Sequence, residues 1–243
     1  QSAYSLLQST VRINELVAEA KKQQMKAIAL TDRNVMYGTI PFYKACKASG
    51  IKPIIGLFAD VLHGEEAYPL LLLAKNRAGY TNLMKISSSI QTKSKEGIPL
   101  RWLKGYSEGL IGISPGEEGF IEHLLIKGEH ELAGETVRQF QAMFGKDSFY
   151  VSVQGDGMDR PGLADLAEAA GAPIVATNPV RYLDEDDRLA YEVLKAIDAG
   201  SRLEDNAGAE GGTSYCFAGK AEMASAFSRL PEAIDNTSRI AEQ

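Results

Sequence analysis

Two apolar runs in this chain stop at a polar cluster that holds one arginine: IALTDRNVMYG at 28–38 and VATNPVRYL at 175–183. In a barrel or an α/β sheet such a stop marks the carboxyl end of a strand, where catalytic groups gather. Asp32 and Arg33 stand at the first of these places and Arg181 at the second. A lone carboxylate cannot make a metal site. Asp32 is therefore open to two readings, active-site work or capping of the turn that follows it.

The other reactive residue types are sparse. A hydrolytic metal centre needs clustered His, Asp, Glu or Cys. The chain has three histidines: His63 in LHGEEAY, which reads as an exposed turn, and His123 and His130, which fall in helical patterns. All three read as surface residues. Neither Cys46 nor Cys216 has a histidine nearby in sequence, and Cys46 falls on the apolar face of its helix, where packing is its expected role. There is no G-x-S-x-G nucleophile elbow and no G-K-[ST] phosphate loop. The basic runs KKQQMK and KSKEG read as solvated surface.

The elements that would position these residues follow from the hydrophobic pattern. Strand-length apolar runs recur at 27–30, 51–57, 68–74, 109–114, 149–153 and 173–177. Between them lie helical patterns. The segment 11–24 spaces Ile13, Leu16, Val17 and Ala20 along one face. Segments 39–50, 163–171 and 186–200 each close on a glycine suited to a helix C′ position. Strands apolar on both faces, alternating with amphipathic helices, predict a parallel sheet. Six or seven such units fit a closed or nearly closed barrel, with a doubly wound open sheet as the alternative. Residues 204–214 are acidic, glycine-rich and without large apolar side chains, and read as a mobile loop. Two helical segments follow, the second opening on Pro231 at an N1 position. An apolar patch is expected around Ile234 and Ile240.

Composition narrows the function classes. The 243 residues are 44% hydrophobic and 24% charged, which is ordinary globular usage. The net charge of −6 gives no bulk basic footprint for nucleic acid. No apolar run reaches the ~18 residues of a membrane span. Two distant cysteines outside any CxxC pattern suit a reduced, cytoplasmic setting. The chain opens on QSAYSLL without Met, so part of a first strand is expected to precede Gln1.

The segments SAYSLLQ, AIALTDRNVMYGTIPFYKACKASGIKPIIGL, PLLLLAKNRAGYTNLMKISS, LIGISPGEEGFI, PIVATNPVRYL, YEVLKAI and LPEAIDNTSRIAE resemble the PHP (polymerase and histidinol phosphatase) domain of bacterial DNA polymerase III alpha subunits. They do so in the family's order and over nearly the whole chain. The resemblance implies an α/β fold, a distorted (β/α)7 TIM-like barrel, over residues 1–200. It implies that 201–243, the acidic loop and terminal helices, lead toward the polymerase palm region, with no polymerase active site in this chain.

Active members of the family carry a trinuclear metal cluster and are thought to be phosphoesterases or 3′–5′ exonucleases. Their ligand positions map here onto Gln1, Gln8, Asp32, Arg33, Leu57 or Phe58, Pro69, Pro179 and Arg181. Of these only Asp32 keeps a ligand side chain, and Arg33 and Arg181 stand where relatives have histidine. The resemblance then implies a supporting module of a replicative polymerase with vestigial metal-site positions, no catalytic residue, no metal ligand and no cofactor. It implies the remaining polymerase domains of a parent chain as partners, DNA contact only through that polymerase, and no membrane. The alternatives are an active metal-dependent phosphoesterase or exonuclease, and a docking module for a replisome protein through 204–214. Arg33 and Arg181 are expected to point into the barrel mouth, with Asp32 as the nearest counter-ion by sequence.

Overall fold

A computed structural model describes residues 1–116, 118–155, 162–203 and 214–243. The acidic segment 204–214 thus lies outside the described residues except for Ser214.

The first helix, α1 (Ile13–Lys22), buries Ile13, Leu16, Val17 and Ala20, the stripe its spacing predicts. It packs on α2 (Thr39–Ser49), whose Phe42 and Cys46 are fully buried. Helix α2 stops at Gly50, where φ is +74°, a left-handed conformation that costs glycine nothing. Burial pushes the Cys46 thiol up to about 11, so it stays protonated and acts as a small apolar side chain.

Strand β1 (Ala27–Leu30) runs parallel to β2 (Lys52–His63), with Ala27 opposite Lys52 and Leu30 opposite Ile55. Strand β3 (Glu66–Ala74) returns antiparallel to β2, and Phe58 faces Leu71 across the pair. Helix α3 (Arg77–Thr92) leads to the short β4 (Ile98–Pro99), which pairs with β2, and then to α4 (Leu100–Gly105). Strand β5 (Leu110–Ile113) pairs antiparallel with β3 and parallel with β6 (Phe149–Val153). Helices α5 (Phe120–Ile126) and α6 (His130–Phe144) lie between β5 and β6. Helix α7 (Leu163–Ala170) precedes β7 (Ile174–Ala176), which is parallel to β6. Helices α8 (Arg188–Ala199), α9 (Lys220–Ala226) and α10 (Pro231–Glu242) complete the order.

The strand path β1-β2-β3-β5-β6-β7 curls into a distorted TIM-like barrel of mixed α/β class. Strands β1 and β7 are its two ends, so among the described residues the path does not close. The outward face of the sheet carries Leu57, Ala59, Val61, Leu70 and Leu72 and packs under α3, α6 and α7. The inward face carries Leu73, Ile111, Ile113, Tyr150 and Val175. It borders a cavity of about 880 Å³.

Three expectations are corrected here. The sheet is mixed rather than parallel. Strand β2 continues six residues past Leu57, and only Gly64 and Glu65 separate it from β3. A two-residue turn can join only antiparallel strands. His63 is also no exposed turn residue. It ends β2, half-buried, with its ring stacked 3.9 Å from that of Phe120, and burial draws its pKa down to about 4. Finally, Ile240 and Ile234 form no exposed patch. Helix α10 lays Ala233 and Ile240 against the sheet, and Asn236 Nδ2 donates 2.7 Å to the Ile174 carbonyl.

Candidate functional site at the barrel mouth

Strands β1, β2, β5 and β7 deliver the polar residues of the mouth. Asp32 and Arg33 follow β1 directly. The Phe58 amide donates 3.0 Å to the Asp32 carbonyl, and Arg33 and Phe58 form an isolated parallel bridge. On β2 the side chains alternate. Leu57, Ala59 and Val61 enter the helix-covered core, so Phe58 and Asp60 share the opposite face. Glu118 lies past the end of β5, and Arg181 past the end of β7.

Asp32 is only 2% exposed, and its carboxylate is saturated by the N-terminal segment. It accepts from the Ser2 amide at 2.6 Å, from the Ser2 hydroxyl at 2.9 and 3.0 Å, and from the Ser5 hydroxyl at 2.9 Å. Ser5 Oγ in turn accepts from the Arg33 amide at 3.0 Å. Of the two readings left open from sequence, active-site work or turn capping, the structure shows neither directly: Asp32 anchors residues 2–5. Gly38 closes over the same carboxylate, where an added Cβ would come within 3.1 Å of Asp32 Oδ2.

Arg33 does not pair with Asp32. Its guanidinium meets Asp60 side-on, Nε to Oδ2 at 3.2 Å and Nη2 to Oδ1 at 2.9 Å, with Nη1 reaching Glu118 at 3.2 Å. Its carbon also sits 5.9 Å from the centre of the Phe58 ring. Two parallel N–H···O bonds to one carboxylate fix both partners. Asn34, at φ +59°, locks the pair further: its Nδ2 donates 2.6 Å to Asp60 while its Oδ1 accepts from the Asp60 amide. The counter-ion assignment to Asp32 is therefore corrected to Asp60 and Glu118.

Arg181 is 6% exposed, and its Nη2 reaches Glu118 at 3.4 Å. Its Nη1 finds no hydrogen-bond partner among the described residues. The Gln1, Gln8 and Thr177 side-chain oxygens are likewise buried without partners among the described residues. The Arg181 carbonyl accepts from the Thr10 amide and the Ser9 hydroxyl, both at 2.9 Å, so the N-terminal segment spans from β1 to the end of β7. The Gln1 backbone nitrogen lies at the same place, 3.3 Å from the Val180 carbonyl.

The structure thus brings Gln1, Asp32, Arg33, Phe58 and Arg181 to one end of the barrel. Pro179 lies two residues before Arg181 and lines the cavity. Pro69 is buried on β3 directly opposite Asp60. Gln8 is half-buried in the N-terminal segment. Asp60 and Glu118 were missed from sequence. Asp60 could have been found from strand parity, because it lies two residues beyond Phe58 on the same face. Glu118 sits in a loop far from every other member, and no sequence signal ties it to them.

A metal ion does not suit this donor set. Among the described residues no three His, Cys, Asp or Glu side chains gather as a ligand group. Asp32 and Asp60 spend their oxygens on serine, asparagine and arginine donors, and two guanidiniums repel a cation at the mouth.

Comparisons with known proteins agree with this architecture. A PHP domain family model matches residues 1–156. This chain belongs to the PHP domain family. Over its whole length it is similar to DNA polymerase III subunit alpha of Bacillus subtilis (strain 168), at 47% identity, and to that of Halalkalibacterium halodurans, at 35%. In both cases the chain spans 22% of the relative's length. Among solved structures, an amidohydrolase from Chromobacterium violaceum shares the fold with a TM-score of 0.52 and 13% identity. The match covers 74% of this chain and 85% of that one.

Proposed function

We propose that this chain is the N-terminal PHP domain of a replicative DNA polymerase III alpha subunit, residues 1–200 forming the barrel and 201–243 leading toward the polymerase body. Within it the former metal site acts as a structural ion-pair network with no hydrolytic activity. One observation carries the reading: Glu118 receives both Arg33 and Arg181, the two residues that stand at strand ends where active relatives have histidine. A fixed guanidinium offers neighbouring carboxylates positive charge and hydrogen bonds in place of a metal's charge and coordination bonds. The mouth then holds its acids without an exchangeable cation. DNA contact belongs to the parent polymerase, and a cytoplasmic location follows from that role.

Hydrolysis tests the proposal. The wild-type protein, and the double variant Arg33→His, Arg181→His, should both leave phosphomonoesters and single-stranded 3′ ends intact in Mn²⁺ or Zn²⁺. Phe58 and Pro69 would still offer no metal-binding side-chain atom, and Gln8 only an uncharged amide oxygen. Metal-dependent turnover by the wild type that disappears with Asp32→Ala would overturn it.

A further inference from the structure

Helix α8 is the one place among the described residues where a helix turns a row of large aliphatic side chains to solvent. Leu189, Val193 and Ile197 recur every four residues and are 60%, 39% and 59% exposed, and Leu203 continues beyond the helix at 37%. Side chains four apart line one face of a helix, so these form a stripe rather than scattered residues. Single exposed apolar residues are ordinary, but a contiguous strip marks a contact surface. The segment 204–213 that follows Leu203 holds no apolar side chain larger than alanine.

Charge gives the chemistry of the cover. Residues 184–198 contain six acids against two bases, and one of those bases, Arg188, is spent on Glu192 at 2.9 Å. The complement of this surface is an apolar ridge edged with lysine or arginine. The chain spans 22% of its polymerase relatives, leaving most of such a protein to supply that ridge.

We propose that the Leu189–Val193–Ile197 face of α8 is the docking surface for a basic-edged apolar segment of the same polymerase chain outside residues 1–243. This rests on the reading of the chain as a module of a longer polymerase. The surface lies on α8, and α10, whose apolar residues are already buried, does not provide it.

Hydroxyl-radical footprinting of the full-length polymerase, read by mass spectrometry, tests the assignment. Leu189 and Ile197 should be modified about fivefold more slowly than Leu6 and Ile126, which are 80% and 68% exposed, because an interface core excludes water. The variant Leu189→Asp, Ile197→Asp should restore rapid modification at Val193 and speed tryptic cleavage after Lys195 and Arg202. Equal rates at all four leucine and isoleucine positions would overturn the proposal. So would protection that appears only where sedimentation shows a dimer, or only when a separate protein is added. Primer extension by the same preparation tests the polymerase reading by itself: an active enzyme with an exposed α8 defeats the docking surface alone.

Discussion

The two sides of the barrel mouth hold their charges differently. On the β1–β2 side, Arg33, Asn34 and Asp60 are tied by four hydrogen bonds of 2.6–3.2 Å, and Asp32 is closed off by Ser2 and Ser5. On the β7 side, the more deeply buried Arg181 has, among the described residues, one side-chain contact of 3.4 Å to a carboxylate that is 45% exposed, and one nitrogen without a partner. Burial and pairing therefore run in opposite directions. Interlocked bonds define the geometry on the first side, whereas the second is held mainly by hydrogen bonds of the Ser9 hydroxyl, the Thr10 amide and the Tyr215 carbonyl to the Arg181 backbone. Losing a partner should cost much on the first side and little on the second.

The largest effect is expected from Asp60→Ala. It leaves Arg33 facing the mouth with only Glu118 and strips Asn34 of its acceptor, a loss of about 3 kcal/mol for a partly buried pair broken from one side. Adding Arg33→Met should recover part of it, and denaturant titration of the four members of that cycle gives the coupling. A cost below about 1 kcal/mol would erase the contrast between the two sides. Asp32→Ala comes next, at about 2 kcal/mol, because it orphans the Ser2 and Ser5 donors. Hydrogen exchange should then accelerate over residues 2–10 and not over β7.

A pH titration separates these effects from the rest of the barrel. The folded pKa of His63, about 4, lies below its ordinary 6.5. Between those values the unfolded chain binds a proton that the folded chain refuses. The stabilising contribution is complete above pH 6.5 and is lost as pH falls toward 4, up to roughly 3 kcal/mol. His63→Phe should flatten that window while leaving the Asp60→Ala cost unchanged. The smallest effects belong to the β7 side. Glu118→Ala, which removes a 45% exposed acid shared by both sides, should cost about 1 kcal/mol. Arg181→Met should fall within about 1 kcal/mol of wild type, since an apolar isostere removes a weakly paired buried charge.

The sequence made the helices and most strand positions plain because their signals are local. The stripe of α1, the glycines after α2, α7 and α8, and the runs at 27–30 and 149–153 all recur in the structure. The direction of β3 was hidden. Its Leu70–Leu73 run is apolar on both faces, as a parallel strand would be, and the polar Asp60 and His63 masked the continuation of β2 to the hairpin. Arg33 and Arg181 could be placed at one end from their positions after apolar runs. Their partners could not, because Asp60 and Glu118 join them through strand register and loop course, which composition does not encode. The serine shell around Asp32 was equally hidden, since Ser2 and Ser5 are separated from it by 30 and 27 positions.

The central proposal, that fixed arginines hold the mouth at the positions the family resemblance gives to metal ligands, is tested most directly by metal content. Protein purified without chelator should contain far less than one equivalent of zinc, manganese or iron, and its melting temperature should be unchanged by added Mn²⁺, Zn²⁺ or EDTA, because a ligand that does not bind the native state cannot stabilise it. Near-stoichiometric metal that is lost with Asp32→Ala, together with a melting temperature that falls in EDTA, would contradict the account.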